Sequence, residues 1–397
     1  MNNLSDNSSD NSESSDNLGE GSSDNLESTT NLSDGSLDST NLVNEFISKD
    51  FVELCKNYDY IPTIQPKTRR IIVLGDIHGD IKLAYKLLKI GKVISVDSNK
   101  NIKWIGGDTV VVQVGDQIDR CRPYSINSLK CNMAGSTKDD EASDVKILEL
   151  FTELHYKAKE HGGKVISLLG NHELMNSMGH MDYVSKMNLD EFDNYIDEKN
   201  PTIKFKSGED ARLYAFKPGN KYAVFMGCTR VSCVIIGSNL FVHAGIIDTI
   251  LDEMKVKKKN DLENIDITVR KWLLGLINKN YIEHIIKPSD KSMFWNRILG
   301  NIPYNVSNDN PECINYLKNV VKILTIGHII IGHTPQSFIH GHGINGICDN
   351  KIWRVDNGSS AAFHGFDKIH STTGKVDKNR EPQVLEILED TQFNVLK

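Results

Sequence analysis

Five short apolar runs, widely separated in the chain, each end in a metal-ligand type of residue. Ile71-Ile72-Val73-Leu74 runs into Gly75-Asp76-Ile77-His78-Gly79. Residues 109–114 run into Gly115-Asp116-Gln117-Ile118-Asp119-Arg120. Residues 165–169 run into Gly170-Asn171-His172-Glu173, 240–242 into His243-Ala244-Gly245, and 323–331 into Gly332-His333-Thr334. Bounded apolar runs of this length read as buried strands, and helical periodicity fills the gaps over 80–90, 143–161 and 262–278. Strands alternating with helices predict an α/β fold. In such folds sites assemble at the carboxyl ends of strands, so residues distant in sequence are expected to converge. In most of the five a glycine precedes the ligand, which permits a tight turn at the strand end.

Carboxylate oxygen and imidazole nitrogen together suit manganese, iron or zinc better than calcium. Asp76 and His78 lie two apart and face one side of an extended segment, so they can share an ion. Asn171, His243 and His333 can hold a second, and the Asp116 carboxylate can lend an oxygen to both. Two such ions would clamp a phosphate and convert a bridging water into an attacking hydroxide, giving direct hydrolysis of a phosphate monoester. His172 directly follows a ligand and is placed to protonate the leaving oxygen. Asp119 is its expected partner. Arg120 and Arg297 can offer paired donors to phosphate oxygens. His328, close to His333, is not expected to ligate.

Residues 1–45 read as a disordered acidic low-complexity tail, and 46–397 as one folded domain whose first helix covers 43–57. The first 46 residues hold ten acidic side chains and no basic one, which leaves a net charge of +3 on the remainder of a chain whose total is −7. That balance shows no bias toward nucleic acid. No apolar run approaches the length of a membrane span, and the start lacks the pattern of a secretory signal. The seven cysteines (Cys55, Cys121, Cys131, Cys228, Cys233, Cys313, Cys348) form no regular framework. They read as reduced thiols in an intracellular, cytoplasmic protein. Residues 121–142, 176–215 and 248–292 read as loops or helical insertions on the scaffold.

The blocks GDIHG, GDQIDR, GNHE, VHAG and IGHT resemble the calcineurin-like metallophosphoesterases, in their phosphoprotein phosphatase branch. LLGNHELMN, FWNR, IGHTPQ and RVDNGSSAAF resemble the Shewanella-like protein phosphatases within it. The resemblance spans about residues 70–388 and implies a two-sheet β-sandwich flanked by helices. It implies one metal on Asp76, His78 and Asp116, and another on Asp116, Asn171, His243 and His333. It further implies His172 as acid, Asp119 as its partner and Arg120 on the phosphate. The implied partner is a protein phosphorylated on serine or threonine, with phosphotyrosine also open. Alternatives are a symmetrical bis(nucleosyl)-tetraphosphatase and an inactive scaffold acting through the acidic tail. One departure stands out: Cys121 follows Arg120 where the family usually has glycine.

Overall fold

A computed structural model describes residues 39–98, 101–123, 129–365 and 380–397. The apolar runs sort their side chains by alternation, as strands buried on both faces must. Ile71 and Val73 of strand Arg70–Leu74 enter one apolar cluster, while Ile72 and Leu74 enter another. Val110 and Val112 likewise oppose Val111, and Ile166 and Leu168 oppose Val165. From a second sheet, Val234, Ile236, Phe241, Ile330 and Trp353 join the first cluster. That shared layer is where the two sheets pack on each other.

The first sheet runs in the order Gln392–Leu396, Val384–Leu388, Arg70–Leu74, Val110–Gln113, Lys164–Leu168, Arg230–Val231. Its last four strands are mutually parallel, and the C-terminal hairpin adds an antiparallel edge. The second runs Ile64–Gln65, Cys233–Ile236, Asn239–Val242, His328–Ile331, Ile352–Arg354, Asn345–Ile347. Helices Ile81–Ile90 and Asp144–Lys159 cover the outer face of the first sheet with Leu83, Leu87, Ile147, Phe151 and Leu154. Helices Asp261–Leu273 and Pro311–Leu324 cover the second through Leu262, Val269, Leu317 and Val320. This is the helix-flanked double-sheet α/β architecture expected from the motifs. Among the described residues no helix is long and apolar enough to cross a membrane.

Three expectations need correction. The run 323–331 is not one strand: helix Pro311–Leu324 extends through Leu324, which continues the buried stripe of Leu317 and Val320. Thr325 then ends the helix at φ 53°, and the strand begins at His328. At the N-terminus, helical structure begins at Ser39 and continues through a wider turn at Phe46–Phe51. Phe46 and Phe51 are buried there against Tyr60, which anchors the segment. The remainder of the expected tail, residues 1–38, lies outside the described residues.

The third correction concerns the thiols. Cys55–Cys228, Cys121–Cys131 and Cys313–Cys348 are disulfides, and Cys233 alone is free and buried. Sequence spacing concealed the pairs because Cys55 and Cys228 are 173 positions apart and meet only in the fold. Linking such distant points restricts the unfolded chain, so replacing both Cys55 and Cys228 by serine should cost about 2–4 kcal/mol. Guanidinium unfolding of the oxidised protein and this variant measures it. Equal midpoints would show that the bridge adds no stability.

Candidate metal centre

Strands from both sheets deliver the ligand-type residues to one place. Buried Asp76 and His78 follow strand Arg70–Leu74, and buried Asp116 and Asp119 follow Val110–Gln113. Asn171 and His172 open helix Asn171–Met178 after strand Lys164–Leu168. His243 and His333 follow the central strands Asn239–Val242 and His328–Ile331 of the other sheet. The backbone N–H groups of Ile77 and His78 both donate to the Asp116 carbonyl at 2.9 Å, which stitches two of these turns together.

Asp116 is the centre of the set. Its Oδ1 lies 3.3 Å from His243 Nε2, and its Oδ2 lies 3.8 Å from His78 Nε2 and 3.9 Å from His172 Nε2. Asp76 Oδ2 is 3.9 Å from His78 Nε2. His243 donates from Nδ1 to the Val114 carbonyl at 2.8 Å, leaving Nε2 to face Asn171 Oδ1 at 2.9 Å and Asp116. His333 donates from Nε2 to the Trp295 carbonyl at 2.9 Å, which turns Nδ1 toward Asp116 and His243.

These contacts fit metal ions. Two triads, His78–Asp116–His172 and Asp116–His243–His333, bring their ligand atoms within 4.8 Å of one another. Ligands bound at about 2.1 Å to a shared ion stand roughly 3–4 Å apart, as these atoms do. Without a cation the electrostatics are unfavourable. Burial, then Asp356 and Asp116, push Asp76 well above the usual carboxylate range. Burial and the Arg122 charge hold His78 well below the usual imidazole range. Burial would raise Asp116 too, but His243, His172 and His78 outweigh it and bring it well down. The donor set fits the family's ions, with Asp116 between the two triads.

His172 has a second set of partners. Its Nδ1 donates to Asp119 Oδ2 at 2.8 Å, and Asp119 Oδ1 accepts from Asn176 at 2.9 Å. Asn176 Oδ1 in turn accepts from Arg212, whose Nη2 reaches Asp144 at 2.9 Å. This chain is buried throughout and fixes the His172 ring with Nε2 toward Asp116. The two arginines expected at the phosphate are placed differently. Arg297 is exposed at the rim and donates to the His333 carbonyl at 2.8 Å. Arg120 is buried, with Nη1 on the Gly79 carbonyl and Glu141 and Nη2 on the Asp139 carbonyl. His328 stands apart, its Nδ1 donating to the Asn350 carbonyl.

Sequence reasoning overlooked Glu173. Its carboxylate accepts from the backbone N–H of Gly170 at 2.7 Å, Gln117 at 2.8 Å and Asp116 at 3.0 Å. It therefore ties the Asn171 helix to the Asp116 turn. Its position in Gly-Asn-His-Glu, at the third residue of a helix, was the available signal. Close approach also explains the glycines: a Cβ at Gly170 would collide with Asp116 Oδ1, and one at Gly332 with Asp76 Oδ1. In Glu173→Gln an N–H₂ replaces one acceptor opposite these backbone donors. We expect a loss of roughly 1.5–3 kcal/mol in stability and lower metal content. Thermal unfolding and elemental analysis test this; unchanged values for both would remove Glu173 from the site's support.

Known proteins share sequence and fold with this chain. A protein of Acanthamoeba polyphaga mimivirus with no assigned function is 40% identical over 62% of this chain and 97% of its own length. "Shewanella-like protein phosphatase 2" of Arabidopsis thaliana is 27% identical over 74% of this chain and 72% of its own. The solved cold-active protein-tyrosine phosphatase of a psychrophilic Shewanella shares the fold with a TM-score of 0.53. It has 18% identity, over 85% of this chain and 83% of that one. The profile of the calcineurin-like phosphoesterases matches residues 69–337, and the chain belongs to that family of metal-dependent phosphoesterases.

Proposed function

We propose that this protein is a phosphoprotein phosphatase that hydrolyses phosphoserine and phosphothreonine esters, with phosphotyrosine also open to it. The observation that carries the reading is the convergence of Asp76, His78, Asp116, Asn171, His243 and His333 beside the Asp119–His172 pair. Two phosphatases among the similar proteins support the substrate class. Bound manganese, iron or zinc would polarise the phosphoryl oxygens and make water a nucleophile near neutral pH.

The chain's own residues do the rest. Asp76, His78 and Asp116 would hold one ion, and Asp116, Asn171, His243 and His333 the other. Asp119 accepts the hydrogen bond from His172 Nδ1–H and fixes the ring, so that Nε2 is the nitrogen placed to give a proton to the leaving seryl or threonyl oxygen. Asn176 and Arg212 keep Asp119 in place. Arg297 stands at the mouth beside His333, within reach of an incoming anion. Three disulfides fit surroundings that keep cysteines oxidised better than a reducing cytoplasm.

Two variants test the assignment. Asp116→Asn should lose metal and at least about a thousandfold in kcat/KM on a phosphoserine peptide with manganese present. Turnover at the wild-type level would reject the mechanism. His172→Ala should keep its metal and lose roughly 10²–10⁴-fold on the peptide, whose alkoxide needs a proton, but less on p-nitrophenyl phosphate, whose phenolate does not. Equal losses on both would remove the acid role. Faster turnover of a dinucleoside tetraphosphate than of any phosphopeptide would redirect the substrate class to nucleotides.

A further inference from the structure

Arg122, two residues beyond the family's arginine, is 8% exposed. Its Nη1 donates to the backbone carbonyls of Cys121 at 2.8 Å and Asp119 at 3.1 Å. Neither Nε nor Nη2 makes a hydrogen bond to a described residue, and no described carboxylate lies within 4 Å of it. Its Cζ sits 4.5 Å from the centre of the Phe363 ring and 5.7 Å from that of Tyr183. Those rings are the ones that touch the site: Phe363 is 5.4 Å from His78, and Tyr183 is 5.0 Å from His172. The guanidinium is therefore framed by rings that pack on a ligand and on the acid.

A buried cation without an anionic partner is costly, and stacking on aromatic faces offsets only part of that cost. Arg120, by contrast, has both terminal nitrogens engaged, and only its Nε lacks a partner among the described residues. Glu141 lies 3.0 Å from its Nη1, and two backbone carbonyls take its remaining terminal contacts. An anion arriving at the centre gains a charge-assisted, forked contact only from a guanidinium that still has donors to give. Burial also lowers the affinity of Arg122 for its own proton, against the opposing influence of Asp116, Tyr183 and Asp119.

We propose that Arg122 grips the phosphoryl group of the substrate through Nε and Nη2, while Arg120 braces the turn that carries it. The proposal rests on the phosphoesterase reading above. The Cys121–Cys131 bridge and the bond from Cys121 N–H to the Tyr183 carbonyl, 3.0 Å, set the backbone from which Arg122 projects.

The test uses the manganese-loaded full chain, with inorganic phosphate as competitive inhibitor and p-nitrophenyl phosphate as substrate. Arg122→Met should raise the inhibition constant for phosphate at least about tenfold and lower kcat/KM about a hundredfold, with metal content unchanged. Arg122→Lys keeps the charge but loses the fork, so it should fall between the two; it decides the matter if the methionine variant does not fold. Arg120→Lys should raise the phosphate constant less than Arg122→Lys does. The reverse order, or an Arg122→Lys constant within about twofold of wild type, overturns the assignment. Wild-type protein that carries metal yet neither turns over the ester nor responds to phosphate would overturn the phosphoesterase reading itself.

Discussion

The Asp116 carboxylate is buried against three imidazoles, with no lysine or arginine within 4 Å among the described residues. A buried charge of this kind demands a counter-charge. Protons on the histidines can supply one: Asp116 raises His243 against the opposing effect of burial. Metal ions supply it better, because they satisfy several lone pairs together. Much of the surrounding structure serves that carboxylate. The N–H of His172, in the first turn of its helix, donates to Asp116 Oδ1 at 3.1 Å, and Glu173 holds the Asp116 turn by its backbone. The site and the helix that bears His172 are therefore positioned by one set of contacts.

The backbone pays at the same positions. His78, Asp116, Asp119 and His333 all have φ between 48° and 73°, a left-handed conformation disfavoured for side-chain-bearing residues by about 1–2 kcal/mol each. Three of the four are proposed ligands and the fourth orients the proposed acid. The conformation turns each side chain back over its strand end. It persists because neighbouring turns are bonded to one another, through the Asp116 carbonyl and through Glu173. The neighbouring glycines serve mainly close approach: at Gly170 and Gly332 a methyl group would occupy space used by the carboxylates.

Strand-end ligands were legible because a buried strand is a short apolar run and its end is where polarity returns. Asp76, Asn171, His243 and His333 could be named with no knowledge of which sheet held them. The two-sheet arrangement was accessible only through motif resemblance, since local periodicity says nothing about which strands pair. Edge strand Gln392–Leu396 escaped notice because its residues are mixed in polarity and at least partly exposed, and its buried neighbour Val384–Leu388 because Glu386 interrupts a short apolar run. Arg212 and Asp144 were hidden for another reason. Their roles in holding Asp119 arise from contacts across 68 positions of sequence, between a segment that read as ordinary helix and one that read as a loop or helical insertion. The disulfides failed in the same way: pairing is a property of three-dimensional proximity, and scattered spacing carries no information about it.

The departure after Arg120 shows how such hidden contacts can redistribute a function. Where the family usually has glycine, this chain has Cys121, bonded to Cys131, and an insertion follows that carries Asp139 and Glu141. Those residues take up the Arg120 guanidinium. The same departure brings Arg122 into the space between Phe363 and Tyr183, close to His78 and His172. A charge neutralised by Glu141 has little left for a substrate, whereas one whose nearest described neighbours are rings and carbonyls keeps its demand for an anion. The insertion that ties down one guanidinium thus leaves the other as the better electrostatic complement to a phosphoryl group.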